Sequence, residues 1–190
     1  CFYDEHMDKP EVVLAKVKEF AAQHPDKTHL VWGCADVYAQ VISEIQNDLP
    51  ENCVTLYIQS DLRDKLESKL SFYEMCDKYG IPYPKTFVVR PSEWEQGVAE
   101  ADLTEGKIGF KYPIIVKPSM SSTYWEHPFD HMKKVYTAQN PAEAAHILGL
   151  IFGAGYPDEV LLQDMVVGED CNMNVLTAYC DRNCKVKLIC

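Results

Sequence analysis

The side chains whose types and spacing could do chemistry are few: Lys69, Lys117, the serines Ser119, Ser121 and Ser122, the run Gln163-Asp164-Met165-Val166, and Asp170. Lys117 is the most informative. It follows Ile114-Ile115-Val116, a short β-branched run suited to a strand buried on at least one face, which Pro113 can begin but not interrupt. An ammonium buried without a partner is costly, so the Lys117 stem is expected to lie along apolar surface while its head meets an anion or water. Pro118 ends the strand. The small hydroxyl residues from Ser119 to Thr123 then offer side-chain and backbone donors that could cradle phosphate oxygens as a glycine-rich loop does. Taken alone, a lysine at a strand end before a serine turn is also an ordinary surface feature, and Asp170 after Gly168 is also an ordinary turn former. His127, Asp130 and His131 read as a polar surface loop rather than a metal site.

Composition narrows the chemistry further. A chain of 190 residues holds one large domain or two small ones. Its net charge of −11, without a lysine or arginine run, gains nothing from counterion release, so no nucleic-acid partner is expected and any anionic ligand must be held by local charges. No apolar run approaches the roughly 18 residues of a membrane span, and no basic segment precedes an apolar one at the start. No membrane partner and a cytoplasmic location are therefore expected. The eight cysteines lack the paired short spacings of a zinc site and the density of a disulfide scaffold, and are expected as reduced thiols. Cys180 and Cys184 flank the turn Asp181-Arg182-Asn183 and could face each other across a hairpin. No Ser-His-Asp order, zinc signature, Gly-x-x-x-x-Gly-Lys loop or dinucleotide fingerprint is present. The chain starts on Cys1 and stops within the alternating run Val186-Lys-Leu-Ile-Cys190, which reads as a piece of a longer protein.

The elements that must position these residues alternate at first. Asp8-Lys-Pro-Glu11 predicts a helix start capped by the Asp8 carboxylate, and Pro25 ends that helix. His29-Leu-Val-Trp-Gly-Cys34 predicts a short buried strand, followed by a helix through Val37, Val41, Ile42, Ile45 and Leu49 and a second strand over Cys53–Ile58. Ser60 to Tyr79 reads as one helix, with Lys69 on it and Gly80 as its stop. Ile81-Pro-Tyr-Pro84 is extended and delivers a strand over Lys85–Val89. A helical segment from about Ser92, the Ile114–Val116 strand, a strand over Lys133–Thr137 and a Val160–Gln163 strand suggest a small α+β lobe. Within it, Asn140-Pro-Ala-Glu143 predicts a helix with Asn as cap, Pro at the first position and Glu closing a capping box.

In this order, Lys69, Lys117 before its small-residue loop, Gln163-Asp-Met-Val166 and Asp170 resemble the ATP-grasp superfamily over about residues 60 to 190. The stretches Asp64-Lys-Leu-Glu-Ser-Lys69-Leu-Ser-Phe-Tyr, Pro82-Tyr-Pro-Lys-Thr and Pro118-Ser-Met-Ser-Ser-Thr-Tyr-Trp are similar to its carboxylate–amine ligase branch, which includes D-aspartate ligases. The resemblance implies an α/β region followed by an α+β region. Residues 1–62 would be part of a Rossmann-like sheet preceding the ATP-grasp domain, and 63–190 the nucleotide-clamping first lobe, with the catalytic lobe incomplete. It implies an ATP-dependent ligase acting on a small-molecule carboxylate and amine, or else a nucleotide-binding or assembly module that uses the same fold without chemistry. A Glu-x-Asn pattern following Cys190 would favour the ligase.

Residue by residue, the resemblance makes Lys69 and Lys117 contacts to the ATP phosphates and Ser119, Ser121 and Ser122 a mobile phosphate lid. Gln163 and Asp164 would enter the hinge, with backbone groups of Asp164 and Val166 on the adenine edge, Met165 and Ile115 on its faces, and Asp170 on the ribose hydroxyls. The lid has no glycine and Gln163 replaces the acid usual in the family. The Mg2+ ligands would lie beyond Cys190, so neither a metal ligand nor a catalytic residue is assigned here.

Overall fold

The computed structural model describes residues 4–181 and 183–190, apart from the side chains of Asp36 and Asp170. Cys1 and Arg182 thus lie outside the described residues. In chain order the helices and strands are α1 (Pro10–Gln23), β1 (His29–Val31), α2 (Asp36–Ile45), β2 (Cys53–Thr55), α3 (Ser60–Glu67), α4 (Lys69–Tyr79), β3 (Thr86–Val89), α5 (Pro91–Glu95), α6 (Glu105–Ile108), β4 (Ile114–Pro118), α7 (Ser121–Trp125), β5 (Tyr136–Ala138), α8 (Pro141–Gly153), β6 (Val160–Asp164), β7 (Ala178–Cys180) and β8 (Val186–Ile189). Contacts divide them into two units. One runs to Tyr83 and takes in Ser119–Glu126; the other comprises Pro84–Pro118 and His127–Cys190.

In the first unit β1 pairs parallel with β2. Helices α1 and α2 pack through Val13, Val41 and Ile45, with Met7, Leu14, Val17 and Leu49 around them. The capping carboxylate expected at Asp8 is not used. The helix begins at Pro10 with Lys9 as cap residue and no side-chain cap bond, because the missing N–H and fixed φ of proline suit the first helical position. The strand expected over His29–Cys34 is only three residues long and not buried: Leu30 is 50% exposed and Trp32, just beyond it, 57%. Apolar sequence marked it as a core strand, but a two-stranded sheet cannot cover both of its faces. Likewise β2 ends at Thr55 rather than Ile58. The turn after β1 is held by Tyr57, whose hydroxyl accepts from the Gly33 N–H at 2.9 Å and donates to the Gly33 carbonyl at 3.0 Å. Arg63 on α3 donates to the Gln40 carbonyl of α2 at 2.7 Å and pairs with Glu44, Asp64 and Glu67.

The single helix expected over residues 60–79 is two. The chain turns extended at Ser68 (ψ 118°), whose hydroxyl accepts from the Ser71 N–H and restarts the helix as α4. Gly80 ends it in the left-handed conformation (φ 65°), as the sequence predicts.

The second unit is built on a four-stranded antiparallel sheet in the order β3-β6-β4-β5. Residues opposite one another in an antiparallel pair point to the same face. The row Phe87, Leu162, Val116 and Tyr136, with Val89, Val160 and Pro118 and with Ile114 and Ala138, forms one face. Most of these side chains are buried, and α8 adds Ala144, Ile147, Leu148 and Ile151 to the same core through its contacts with β5. As expected, α8 is capped by Asn140, which accepts from the Glu143 N–H at 2.9 Å, and Glu143 reaches back to the Gln139 N–H at 2.8 Å. Such a cap contributes about 1 kcal/mol.

Beyond this sheet, β7 and β8 form a separate exposed hairpin. Its register pairs Cys180 with Val186, not with Cys184, and both thiols are free. The facing cysteines expected there are therefore corrected: a bulge at Tyr179/Cys180 and a left-handed Cys184 (φ 57°) carry the chain round the turn.

Next to β4, Tyr112 donates to the carbonyl of fully buried Leu103 at 2.7 Å. Burial, then the charges of Glu105 and Glu100, push its pKa up to about 12. The folded state thus keeps this proton longer than the unfolded chain, so the stabilisation is complete below about pH 10 and lost as the pH rises towards 12. Urea melts should show Tyr112→Phe about 1 kcal/mol less stable at neutral pH, with a shallower decline between pH 10 and 12 than the parent.

Candidate functional site

The expected site residues fall into two groups, each inside one unit. The first lies on the other face of the four-stranded sheet. The register sets Thr86, Gln163, Ile115 and Thr137 in one row and Val88, Leu161 and Lys117 in the next. This face differs in character from the core face: Ile115 and Lys117 are half-buried and Thr137 is exposed, while Leu161 and Gln163 are buried. Two residues of strand separate Ile115 from Lys117, roughly 7 Å. An apolar wall, a buried amide and a cation therefore stand side by side on a rigid strand pair, an arrangement able to take a flat apolar ring at one end and an anion at the other.

Gln163 is the buried polar group of this face, 5% exposed. Its Nε2 donates to Thr86 Oγ1 at 2.9 Å, and the Thr86 hydroxyl donates to the Pro84 carbonyl at 2.9 Å. Asp164 ends β6, and its N–H donates to the Lys85 carbonyl at 2.9 Å. That amide is therefore already engaged. Met165 is half-buried, and Val166 beyond it is 77% exposed, its backbone in no regular element. Asp170 opens a short 3-10 turn, Asp170–Asn172, and its side chain lies outside the described residues.

The second group belongs to the first unit. Because α4 restarts at Ser68, Lys69 occupies its first position, where the helix dipole disfavours a cation. Its ammonium is held instead by the chain around the serines: Lys69 Nζ donates to the Ser119 carbonyl at 2.9 Å and lies 3.5 Å from Ser121 Oγ. Ser119 is buried, Ser121 half-buried and Ser122 exposed. The loop expected here is in part the short helix α7, anchored by fully buried Tyr124. Serine and threonine are indifferent helix formers, so packing of Tyr124 rather than local preference sets this turn.

Two features were not anticipated. Thr86 partners Gln163 across 77 residues of chain, a relation that only the strand register exposes. Ser68 as a cap was visible in principle, as a serine three positions before another amide, but the apolar stripe through Leu66 and Leu70 runs across it.

Elsewhere, a groove of about 760 Å³ on the first unit, lined by Val17, Phe20, Trp32, Tyr38, Val41 and Ile42 among others, contains none of the expected site residues. Among the described residues no group of three or more His, Cys, Asp and Glu side chains could hold a metal ion. No helix among them is long and apolar enough to cross a membrane.

No family model matches the chain. The resemblance to ATP-grasp carboxylate–amine ligases is nonetheless borne out by direct comparison. The chain is 36% identical over 186 residues to a D-aspartate ligase of Enterococcus faecium (strain Aus0004), a match that takes in 96% of this chain and 43% of that protein. It therefore spans less than half the length of this relative. Among solved structures it is similar to D-alanine–D-alanine ligase of Helicobacter pylori, with a TM-score of 0.48 and 17% identity over 78% of this chain and 37% of that one.

Lys69→Ala should release the segment that the lysine holds. Hydrogen exchange of the amides from Met120 to Tyr124 is expected to quicken about tenfold, the effect of losing one hydrogen bond near 1.4 kcal/mol, with the β3–β6 pair unchanged. Unaltered exchange in that segment would show that the bond holds nothing in place.

Proposed function

We propose that the chain is the ATP-binding part of an ATP-dependent carboxylate–amine ligase. The observation that carries this reading is the common face of Ile115, Lys117 and Gln163, in a chain related over nearly its whole length to a D-aspartate ligase. In this reading residues 1–62 belong to a Rossmann-like domain and 63–190 to the ATP-grasp domain. Ile115 and Met165 flank the adenine, Gln163 with the backbone of Asp164 and Val166 meets its edge, and Asp170 accepts from the ribose. Lys117 offsets phosphate charge, and Lys69 with Ser119, Ser121 and Ser122 supplies further phosphate contacts. By its relative's name, D-aspartate is a candidate substrate.

The chemistry proposed for the whole protein is transfer of the terminal phosphoryl group of ATP to a substrate carboxylate oxygen, with ADP leaving. An amine then attacks the acyl carbon, an amide bond forms, and phosphate departs with the electrons of the broken C–O bond. The contribution proposed for this chain is to bind and orient the nucleotide. A half-buried ammonium is suited to this because a partly water-excluded site strengthens its attraction to phosphate. Magnesium would neutralise phosphate charge when bound, but the described residues offer no ligand set for it.

Thermal denaturation with and without ATP tests the reading. A ligand at one hundred times its dissociation constant adds about 2.7 kcal/mol to the folded state. The chain is expected to melt several degrees higher with ATP, and Lys117→Ala to lose most of that shift. Equal shifts in both proteins, or none in the parent, would count against the reading.

A further inference from the structure

Thr137 stands on the same sheet face as Ile115 and Lys117. It lies in the middle of β5, where the register sets it opposite Ile115, and Tyr136 and Ala138 on either side of it are buried in the core. Alternation along the strand therefore sends Thr137 to the other face, where it is exposed. Its place is held from both ends. The Tyr136 hydroxyl accepts from the Lys133 N–H at 2.8 Å and closes the turn leading into β5, and the Asn140 cap begins α8 just after it. The other hydroxyl of this face, that of Thr86, is engaged with the Pro84 carbonyl and with Gln163, at 2.9 Å each. That of Thr137 makes no hydrogen bond to another described residue.

We propose that Thr137 is a phosphate contact of the nucleotide site, its hydroxyl donating to the same phosphate group that Lys117 holds. This rests on the reading of that face as the nucleotide site. Lys117 is two residues along β4 from Ile115 and so stands diagonal to Thr137 on the neighbouring strand. Diagonal neighbours are roughly 7–8 Å apart, within reach of a long side chain. At that separation the lysine stem and the short hydroxyl can take two oxygens of one phosphate group from adjacent strands. The two donors differ in kind. The ammonium supplies charge on a flexible stem, whereas the hydroxyl sits on a β-branched side chain with few rotamers and supplies direction. With a net charge of −11 the chain as a whole repels an anion, so holding one on this face depends on local donors such as these. Threonine is also simply a good strand former, and valine is as good, so the two roles part when the hydroxyl alone is removed.

The test measures the dissociation constant of ATP for the parent chain, Thr137→Val and Thr137→Ser, and for Lys117→Ala with and without Thr137→Val. The valine keeps the β-branched shape and removes the hydroxyl; the serine keeps the hydroxyl. The valine variant is expected to bind ATP about tenfold more weakly, the order of one hydrogen bond, and the serine variant to stay within about twofold of the parent. With Lys117 already alanine the phosphate is no longer held beside β5, so the valine should then cost about twofold or less. A threonine that serves only the strand would leave ATP affinity unchanged in Thr137→Val, and that result overturns the role of Thr137 and leaves the nucleotide site standing. A serine variant as weak as the valine variant, or an equal loss with and without Lys117, overturns the shared phosphate contact in the same way. Should the valine at this exposed position make the chain associate, Thr137→Ala serves the same comparison. Failure of the parent chain to bind ATP overturns both readings.

Discussion

The antiparallel pairing of β4 with β6 is the constraint on which the candidate site depends. Ile114 lies opposite Asp164 and Lys117 opposite Leu161, and because side chains alternate along a strand this register sends Ile114 and Val116 into the core and Ile115 and Lys117 to the other face. A slip of one residue would exchange the two sets and bury the ammonium under α8. The core holds the register: Ile114, Val116, Val160 and Leu162 are fully buried, and each such side chain favours the observed pairing by roughly 1.5–3 kcal/mol. The polar face is thus positioned by hydrophobic contacts on the opposite side of the same sheet.

The polar groups then adjust what the register delivers. A buried glutamine amide costs free energy unless its hydrogen bonds are made, and Thr86 accepts one of them from the Gln163 Nε2. In the first unit Lys69 poses a comparable problem, a cation at the start of a helix. The solution is again a local acceptor, the carbonyl of Ser119, so that the lysine ties the beginning of α4 to the segment leading into α7. Two lysines that look alike in sequence therefore have different structural standing: one is fixed by strand register, the other by a helix start and a carbonyl.

Much of this was legible in the sequence where local chemistry decides. The β-branched run Ile114–Val116, the Asn140-Pro-Ala-Glu143 cap and the Gly80 stop are written into residues whose preferences agree with their setting. Where tertiary context decides, the sequence said less. The apolar stripe through Leu66 and Leu70 concealed the break at Ser68, since periodicity continues across a cap. Leu30 and Trp32 carry the signature of a buried strand, but burial depends on what covers them. The serines of α7 read as a loop because nothing local announces that Tyr124 will be fully buried. The Thr86–Gln163 pair, 77 residues apart, had no local signal at all. Lys117 and Gln163 themselves were found through resemblance and strand pattern together, since residue type alone also fits an ordinary surface lysine and a core amide.

The central claim is that one face of the four-stranded sheet takes a nucleotide. Amide chemical shifts of the isotopically labelled chain, followed by NMR as ATP is added, test it most directly. The account predicts that the perturbed amides cluster at Thr86, Val88, Ile115, Lys117, Leu161 and Gln163, with those of Ala144, Ile147 and Ile151 on the α8 side unmoved. Perturbations centred on α8 or on the groove beside Phe20 and Trp32, or none at all, would contradict it.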